Sequence, residues 1–308
     1  MKNTLVVLVG PTGIGKTELS LRLAQTLNTE IISSDSRQIF RELKIGTAAP
    51  TADQLKVVKH HMVATHSVND YYNAFEFEQD VIQLLETLFP SHNSLLMTGG
   101  SMMYVDAVCK GIDDLPTIDP ELRQEVMDMY NKEGLDAIRR QLKMLDPEFY
   151  DQVDLKNHKR VMHAVEVCLM TGKPYSSLRT NSDRQRPFNI LKVGLDMDRA
   201  ELYDRINRRV DIMVEEGLFE EAKAFYHLKD HNALNTVGYK EIFGHWDGEY
   251  DADTAIELIK RNSRRYAKRQ LSWFRRDKDI NWFHPKDIEN IISFVTSKLN
   301  DTATEDAR

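Results

Sequence analysis

Cysteine is scarce: the 308 residues hold only Cys109 and Cys168, far apart and without CxxC spacing. Disulfide frameworks, zinc ribbons and dithiol redox chemistry are therefore excluded, and a reducing cytosol is the expected setting. Ten histidines give no HExxH, and neither His60-His61 nor the pair His227 and His231 has companion ligands at metal-binding spacing. Long apolar runs are missing as well. The longest near the start, Leu5 to Val9, is too short for a secretory signal or a membrane span, which predicts a soluble, cytoplasmic protein. With 14 Gly and 9 Pro the chain is neither collagenous nor of low complexity, and no internal repeat is present. Charge of one sign is not in great excess either: 41 Lys+Arg stand against 48 Asp+Glu, a formal charge of -7, with 41% hydrophobic residues. These proportions are those of a globular enzyme of one large or two smaller domains.

The first thirty residues read as strand, loop and helix. LVVLV (5–9) is a β-branched run, GPTGIGKT (10–17) follows it, and Leu19, Leu23 and Leu27 then recur at helical spacing. EIISS (30–34), ending at Asp35, and SLLM (94–97), ending at Thr98-Gly99-Gly100, are further strand candidates, each followed by a helix-compatible segment. Strands alternating with helices predict an α/β fold, a P-loop core whose parallel sheet is flanked by helices. Beyond DLPTIDP (114–120) the texture turns helical and charged. Val161, Val165, Cys168 and Leu169 follow one helical stripe that should stop at Thr171-Gly172-Lys173-Pro174. Strand character resumes at ILKVGLDM (190–197), and Asp198 with Glu201 has the form of a capping box for a helix carrying Leu202, Ile206, Val210 and Met213. The expected organisation is a core over 1–115, an all-helical insertion over 116–187, the core again over 188–299 with basic C-terminal helices, and a disordered tail over 300–308.

Gly10-x4-Gly15-Lys16-Thr17 satisfies the P-loop pattern and lies between a predicted strand and a helix start. In such a loop, here Gly10, Pro11, Thr12, Gly13, Ile14, Gly15, Lys16 and Thr17, successive N–H groups face phosphate oxygens. Lysine neutralises charge there, and the threonine hydroxyl can ligate Mg²⁺. A nucleotide hydrolase would also need an acid at the end of a buried strand, yet SLLM ends in Thr98-Gly99-Gly100-Ser101. Nor is there a guanine-reading NKxD. The strand that does end in a carboxylate is EIISSDS, which puts Asp35 at the carboxyl edge of the sheet, where it can accept a proton or hydrogen bond from an acceptor substrate; capping the next helix is the simpler role.

KRNSRRYAKRQLSWFRR (260–276) holds eight Lys/Arg and no acid. Arg261, Arg264, Arg265 and Lys268 fall on one helical face, and Tyr266, Gln270, Trp273 and Phe274 on another. The basic side chains suit a polyanion and the aromatics suit stacking on bases, although a solvated basic helix with an aromatic core stripe would look the same. A second basic cluster, NHKRVMHAVE (157–166), lies within the insertion.

Together these residues resemble the tRNA dimethylallyltransferase (tRNA isopentenyltransferase) family. The resemblance runs through GPTGIGKT, SSDSRQIF (33–40), IGTAAP (45–50), TGGSMMYVDAV (98–108), NHKRVMHAVEVCLMTGKP (157–174), RINRRVDIMVEEGLFEEA (205–222), VGYKE (237–241) and RRYAKRQLSWFRR (264–276). It implies transfer of a dimethylallyl group from dimethylallyl diphosphate to N6 of the adenosine immediately 3′ of the anticodon, with Mg²⁺ as cofactor. The P-loop would hold the donor's diphosphate and Asp35 would be the general base. Thr17 and Arg209 would bind the diphosphate, with Arg205 and Arg208 as alternatives on the same helix. The target base would be flipped from the anticodon loop. By position, tRNA contacts carry over to Asp35, Ser36, Arg37 and Gln38, to Ser101 and Arg123, and to Lys159, Arg160, Val161, Met162 and His163. They carry over also to Thr236, Val237, Gly238, Tyr239, Lys240 and Glu241, and to Lys268, Arg269, Gln270, Trp273 and Arg275. Ala49 departs from the Lys usual in the family at that place, and Ser272 from Thr.

Two other functions use part of the same residues. A P-loop small-molecule or nucleoside kinase would employ the loop and Asp35 and consume ATP, leaving the basic stretch idle. A non-catalytic RNA-binding module would employ the basic elements and leave Lys16, Thr17 and Asp35 without a role. A monomer is the default, since no coiled-coil or exposed apolar stripe is present.

Overall fold

The computed structural model describes residues 3–179 and 184–305. Six strands form one sheet: β1 (Thr4–Val9), β2 (Ile31–Ser33), β3 (His60–His61), β4 (Ser94–Gly99), β5 (Asn189–Leu195) and β6 (Ile280–Phe283). Their order is β3-β2-β4-β1-β5-β6 and every pairing is parallel, with Val6 opposite both Leu96 and Leu191. The helices in chain order are α1 (Lys16–Leu27), α2 (Ala52–Val57), α3 (Ala74–Leu88), α4 (Met102–Lys110), α5 (Pro120–Glu133), α6 (Leu135–Leu145) and α7 (Pro147–Gln152). They continue with α8 (His158–Thr171), α9 (Tyr175–Leu178), α10 (Arg199–Glu215), α11 (Leu218–Ala224), α12 (Tyr239–Trp246), α13 (Ala252–Phe274) and α14 (Ile288–Glu305).

β1 is buried along its whole length, which is why it reads as an unbroken apolar run. Leu5, Val7 and Val9 join a core with residues of α3, α4, α12 and α13, while Val6 and Leu8 join one with Leu19 and Leu23 of α1 and Ile291 and Val295 of α14. The sheet is thus covered on both faces. Two short edge strands, β3 and β6, are not signalled by the sequence: two and four residues are too few to show a period.

The chain divides into two compact units: the sheet unit takes the chain to Cys109 and resumes at Gln185, and a helical unit runs Lys110–Arg184. The helical unit begins before and ends short of the 116–187 read from the sequence. Val126, Ile138, Leu142, Phe149, Val161 and Val165 form its core. Asp119 and Pro120 open α5, and Gly172, at φ 67°, closes α8 where the Gly-then-Pro signal places the stop. In the sheet unit, Arg186 donates to the carbonyls of Ala107 and Val108 at 2.7 and 2.8 Å and pairs with buried Glu78 at 2.6 Å, pinning the return of the chain to the last turn of α4.

Two sequence readings are corrected. Asp198 caps α10 by accepting from Ala200 and Glu201 N–H, but the Glu201 carboxylate turns to Lys286 at 3.1 Å instead of closing the box. The tail expected to be disordered from 300 is helical to Glu305, because α14 packs its apolar stripe, Ile291, Val295 and Leu299, beside α1 and extends from that anchor. Residues 306–308 lie outside the described residues. No described helix is long and apolar enough to cross a membrane.

Candidate functional site

The site forms where β1, β2 and β4 end, because parallel strands deliver all their carboxyl ends to one edge of the sheet. The P-loop leaves β1 and enters α1 at Lys16, so the helix N-terminus faces into the loop. Gly13 sits at φ 78°, and a Cβ there would stand 2.8 Å from Ile206 of α10, so the loop needs glycine both for its turn and for the closeness of that helix. Lys16 Nζ donates to the carbonyls of Gly10 and Pro11, both at 2.9 Å. Its pKa is drawn down to about 7, chiefly by burial; the Asp35 carboxylate opposes the shift and Arg209 adds to it.

Two cavities meet at this edge. The first, about 360 Å³, is lined by Thr12, Gly13, Gly15, Lys16 and Thr17 of the P-loop, whose Ile14 side chain turns into the core instead, with Ser33, His60, Thr98 and Gly100, and by Arg205, Arg208 and Arg209 of α10. The second, about 210 Å³, is walled by Ser36, Arg37, Ser101, Thr236, Val237 and Gly238, with an apolar side of Ile206, Val210, Met213, Leu218 and Ile259. Thr12, Asp35, Arg209 and Tyr266 line both. One cavity is therefore phosphate-like in its donors and the other mixed polar and apolar, and a single carboxylate stands at their junction.

Asp35 follows β2 and accepts at Oδ1 from the N–H groups of Arg37 and Gln38, 2.9 and 3.3 Å, an Asx-type turn that fixes the carboxylate without a helix to cap. Arg209 Nη1 reaches the Thr12 hydroxyl at 3.5 Å. Burial lowers the pKa of Arg209 and Asp35 opposes this, as expected of a cation enclosed next to an anion. Burial likewise lowers Arg37, which lies among Tyr104, Asp35 and Tyr266. The Tyr266 phenol is pushed up to about 12 by burial first and by Asp35 second.

The three arginines of α10 are separated by the fold. Arg208 is exposed and pairs with Asp204, Arg205 lies against Gly15 over the first cavity, and Arg209 alone of the three reaches both cavities. Thr17 lines the first cavity only, whereas Thr12 faces the junction.

The segment 44–48 is held from beneath by Glu221 of α11. Its carboxylate accepts from the N–H groups of Lys44, Ile45 and Gly46 at 2.8 to 2.9 Å and from the Tyr239 hydroxyl at 2.6 Å. Tyr239 is fully buried, and its ring closes on Gly46 so tightly that a Cβ there would lie 2.7 Å from it. Gln38 then donates to the Thr47 and Ala48 carbonyls, which brings Ala48 and Pro50 to the first cavity; Ala49 is not in its lining.

The residues singled out as RNA contacts differ in exposure. Val161 and Met162 belong to the core of the helical unit, since they fall on the inward stripe of α8, whereas Lys159 and Arg160 are exposed and His163 half-buried. Arg123, half-exposed, and His163 both flank buried Glu166 there, at 3.8 and 3.5 Å. Tyr239 and Glu241 are buried, Glu241 accepting from Gly238 N–H and Asn262, while Lys240 is exposed. Ser101 is buried and bonds to Ser36. Trp273 is half-buried, with its Nε1 donating to Asp106 at 2.8 Å and the Arg276 guanidinium over its ring. On α13, Arg264 turns inward to Asn207 at 2.6 Å and Lys260 to Asp211 at 2.8 Å, and Arg275 at the helix end pairs with Asp196. The exposed cations of α13 are Arg261, Arg265, Lys268 and Arg269. Gln270 is buried against the P-loop.

His60, Ser33, Thr98 and Tyr266 as site-lining residues were not singled out from the sequence. His60 and Ser33 carry no local signal, because only the strand order β3-β2-β4 brings them to the P-loop. Tyr266 was placed on the helical face of Gln270 as an aromatic suited to stacking, and it lies in the wall of the first cavity.

A glycine-rich cradle with an inward lysine, arginines from a neighbouring helix, and a fixed carboxylate in place of a strand-end acid on β4 define a P-loop α/β protein. Its site sets phosphate-type donors in one cavity beside a second cavity of mixed polar and apolar lining. A family model described as IPP transferase matches residues 38–277, and the chain belongs to that family. It is 59% identical over 296 residues to tRNA dimethylallyltransferase 1 of Bacteroides fragilis, covering 96% of this chain and 98% of that one. Among solved structures it is similar to the full-length tRNA isopentenylpyrophosphate transferase of Bacillus halodurans, with 36% identity, a TM-score of 0.74 and complete coverage of both chains. A eukaryotic dimethylallyltransferase acting on tRNA, 23% identical, shares the fold with a TM-score of 0.77 over 98% of this chain and 80% of that one.

Proposed function

We propose that this protein is a tRNA dimethylallyltransferase that moves the dimethylallyl group of dimethylallyl diphosphate onto N6 of the adenosine 3′ of the anticodon and releases diphosphate. The observation that carries this reading is the meeting of two cavities at Asp35, Thr12, Arg209 and Tyr266. The diphosphate occupies the first cavity, on the P-loop amides and Lys16. The flipped adenine enters through the second, so that N6 meets the prenyl carbon at the junction. The new N–C bond forms as the C–O bond to diphosphate breaks. The bonding pair leaves with the diphosphate, and Asp35 takes the proton from N6. Lys16 and Arg209 stabilise the charge that grows on the leaving group.

Mg²⁺ fits the hydroxyl-rich wall. Thr17 faces the cavity, the Thr98 hydroxyl is buried without a partner among the described residues, and no group of three metal-binding side chains is present among them. Such a set suits an ion held mostly by diphosphate oxygens and water, where it would neutralise the leaving group. The helical unit, through Lys159, Arg160, His163 and Arg123, and the exposed cations of α13 grip the anticodon stem-loop by its phosphates. The protein acts in the cytoplasm as a monomer.

The test is incubation with Mg²⁺, unmodified tRNA and radiolabelled dimethylallyl diphosphate, followed by digestion of the RNA. Label on N6 of adenosine is the expected result. No label, with ATP consumed instead, would assign the P-loop to a kinase.

A further inference from the structure

We infer that Gln270 is a positioning residue that sets the P-loop for the prenyl donor, and that it acts through Thr12 rather than by touching tRNA. This rests on the donor and acceptor assignment proposed above. Gln270 is 2% exposed, and its amide is spent at both ends: Oε1 accepts from Thr12 N–H at 2.8 Å and Nε2 donates to the Gly100 carbonyl at 2.8 Å. A buried amide so committed faces the P-loop and the first cavity, not the exposed basic surface of α13.

The bond to Thr12 changes what the loop presents. P-loops hold phosphate with successive backbone N–H groups, but here the N–H of residue 12 is turned to Gln270. Thr12 is left to face the junction with its hydroxyl, to which Arg209 donates. The bond to Gly100 fixes the other wall. A Cβ on Gly100 would collide with Gln270 Nε2, so the glycine of Thr98-Gly99-Gly100 is needed to let the amide in. The next residue, Ser101, accepts from Ser36 N–H at 2.8 Å beside Asp35. One side chain therefore braces the ends of β1 and β4 directly and that of β2 through Ser101.

Gln270 also sits on α13 directly after the exposed Lys268 and Arg269. The same helix thus carries the exposed cations on its surface and the amide bonded to Thr12. The basic face and the donor cradle are thereby parts of one element, which gives a reason for an amide, not a cation, at this position of a basic run.

The experiment compares wild type, Q270M, Q270A, T12V and the double variant T12V/Q270M. It measures steady-state transfer at varied dimethylallyl diphosphate, tRNA affinity by filter binding, and thermal unfolding to establish that each variant is folded. Q270M keeps the volume and removes both bonds; Q270A serves in its place should the thioether overpack. The expected result is a fall in kcat/KM for the donor of about 10²-fold, as for a misplacement of roughly an ångström, with tRNA affinity changed by less than about two-fold since no phosphate contact is lost. In the double variant the losses should be strongly non-additive, because Gln270 acts through Thr12. A fall in tRNA affinity at unchanged donor KM, or strictly additive effects with T12V, would overturn the inference. Failure of wild type itself to label adenosine would overturn instead the transferase reading on which it stands.

Discussion

Arg209 of α10 donates to the hydroxyl of Thr12 in the P-loop across 3.5 Å, and this pair, with Asp35, marks the point where the two cavities join. The relationship singles out Thr12, a variable position of the P-loop signature, beside the fixed Thr17. Removing the Thr12 hydroxyl (T12A) or the Arg209 fork (R209A) should each lower kcat by about 10²- to 10³-fold, the usual loss for a group that stabilises charge in the transition state. T17A should act mainly on donor KM and on its magnesium dependence. R209K keeps the charge but not the planar fork and should recover only part of the loss. Steady-state kinetics at saturating tRNA distinguish these outcomes.

Asp35 is held by its own turn through Oδ1. The isosteric D35N keeps an acceptor for that turn and cannot take a proton, so transfer should fall by about 10²- to 10⁴-fold while tRNA affinity stays within a few-fold. Single-turnover transfer together with filter binding checks both halves.

Lys16 titrates near 7 in the folded chain against an ordinary value of 10.5. Below about 7 both states hold the proton, and burial of the ammonium costs stability. Between that point and the ordinary lysine range the unfolded chain holds more protons than the folded one, so stability rises with pH across this window. Wild type should therefore gain on K16M in Tm as pH climbs from about 7 to 10. Diphosphate favours the ammonium, so its binding should take up a proton at about pH 8.5 and none at about pH 5.5. Calorimetry in buffers of different ionisation enthalpy reads this directly.

Glu221 closes three backbone N–H groups and the Tyr239 hydroxyl onto one carboxylate. E221A leaves them unpaired and should cost about 2 to 4 kcal/mol, seen as a lower denaturant midpoint at unchanged slope. Its loss should also loosen the 44–48 segment and raise KM for both substrates.

Lys268 and Arg269 are exposed on α13, while Arg264 is bonded to Asn207 inside the fold. K268A and R269A should each reduce the salt slope of tRNA binding by about 0.7 to 0.9. R264A should leave that slope unchanged and lower stability instead. Affinities measured over a salt series decide between them.

Much of the fold was legible because its elements announce themselves locally. β1 is a continuous apolar run since both faces are covered, and α8 stops at Gly172 because a left-handed residue there ends a helix. The edge strands β3 and β6 were not legible, being stabilised by their neighbours and not by their own pattern. Of the candidate site, the P-loop and Asp35 were read correctly as strand-end residues at one edge of the sheet. Met162, Tyr239 and Glu241 were read only as parts of blocks. A block names a surface, whereas burial is decided side chain by side chain.

By itself the sequence determined the P-loop, the parallel α/β architecture and the family, because each is written in short-range spacing: a glycine pattern, a strand's apolar run, ordered blocks. Only the tertiary structure decided which arginine of α10 reaches both cavities, that Thr12 and not Thr17 stands at the junction, and that Gln270 is bound to the P-loop from 258 residues away. The reason is geometric. Successive residues on a helix point about 100° apart, so the partner of each side chain is set by how whole elements pack, and packing joins residues that no local spacing connects.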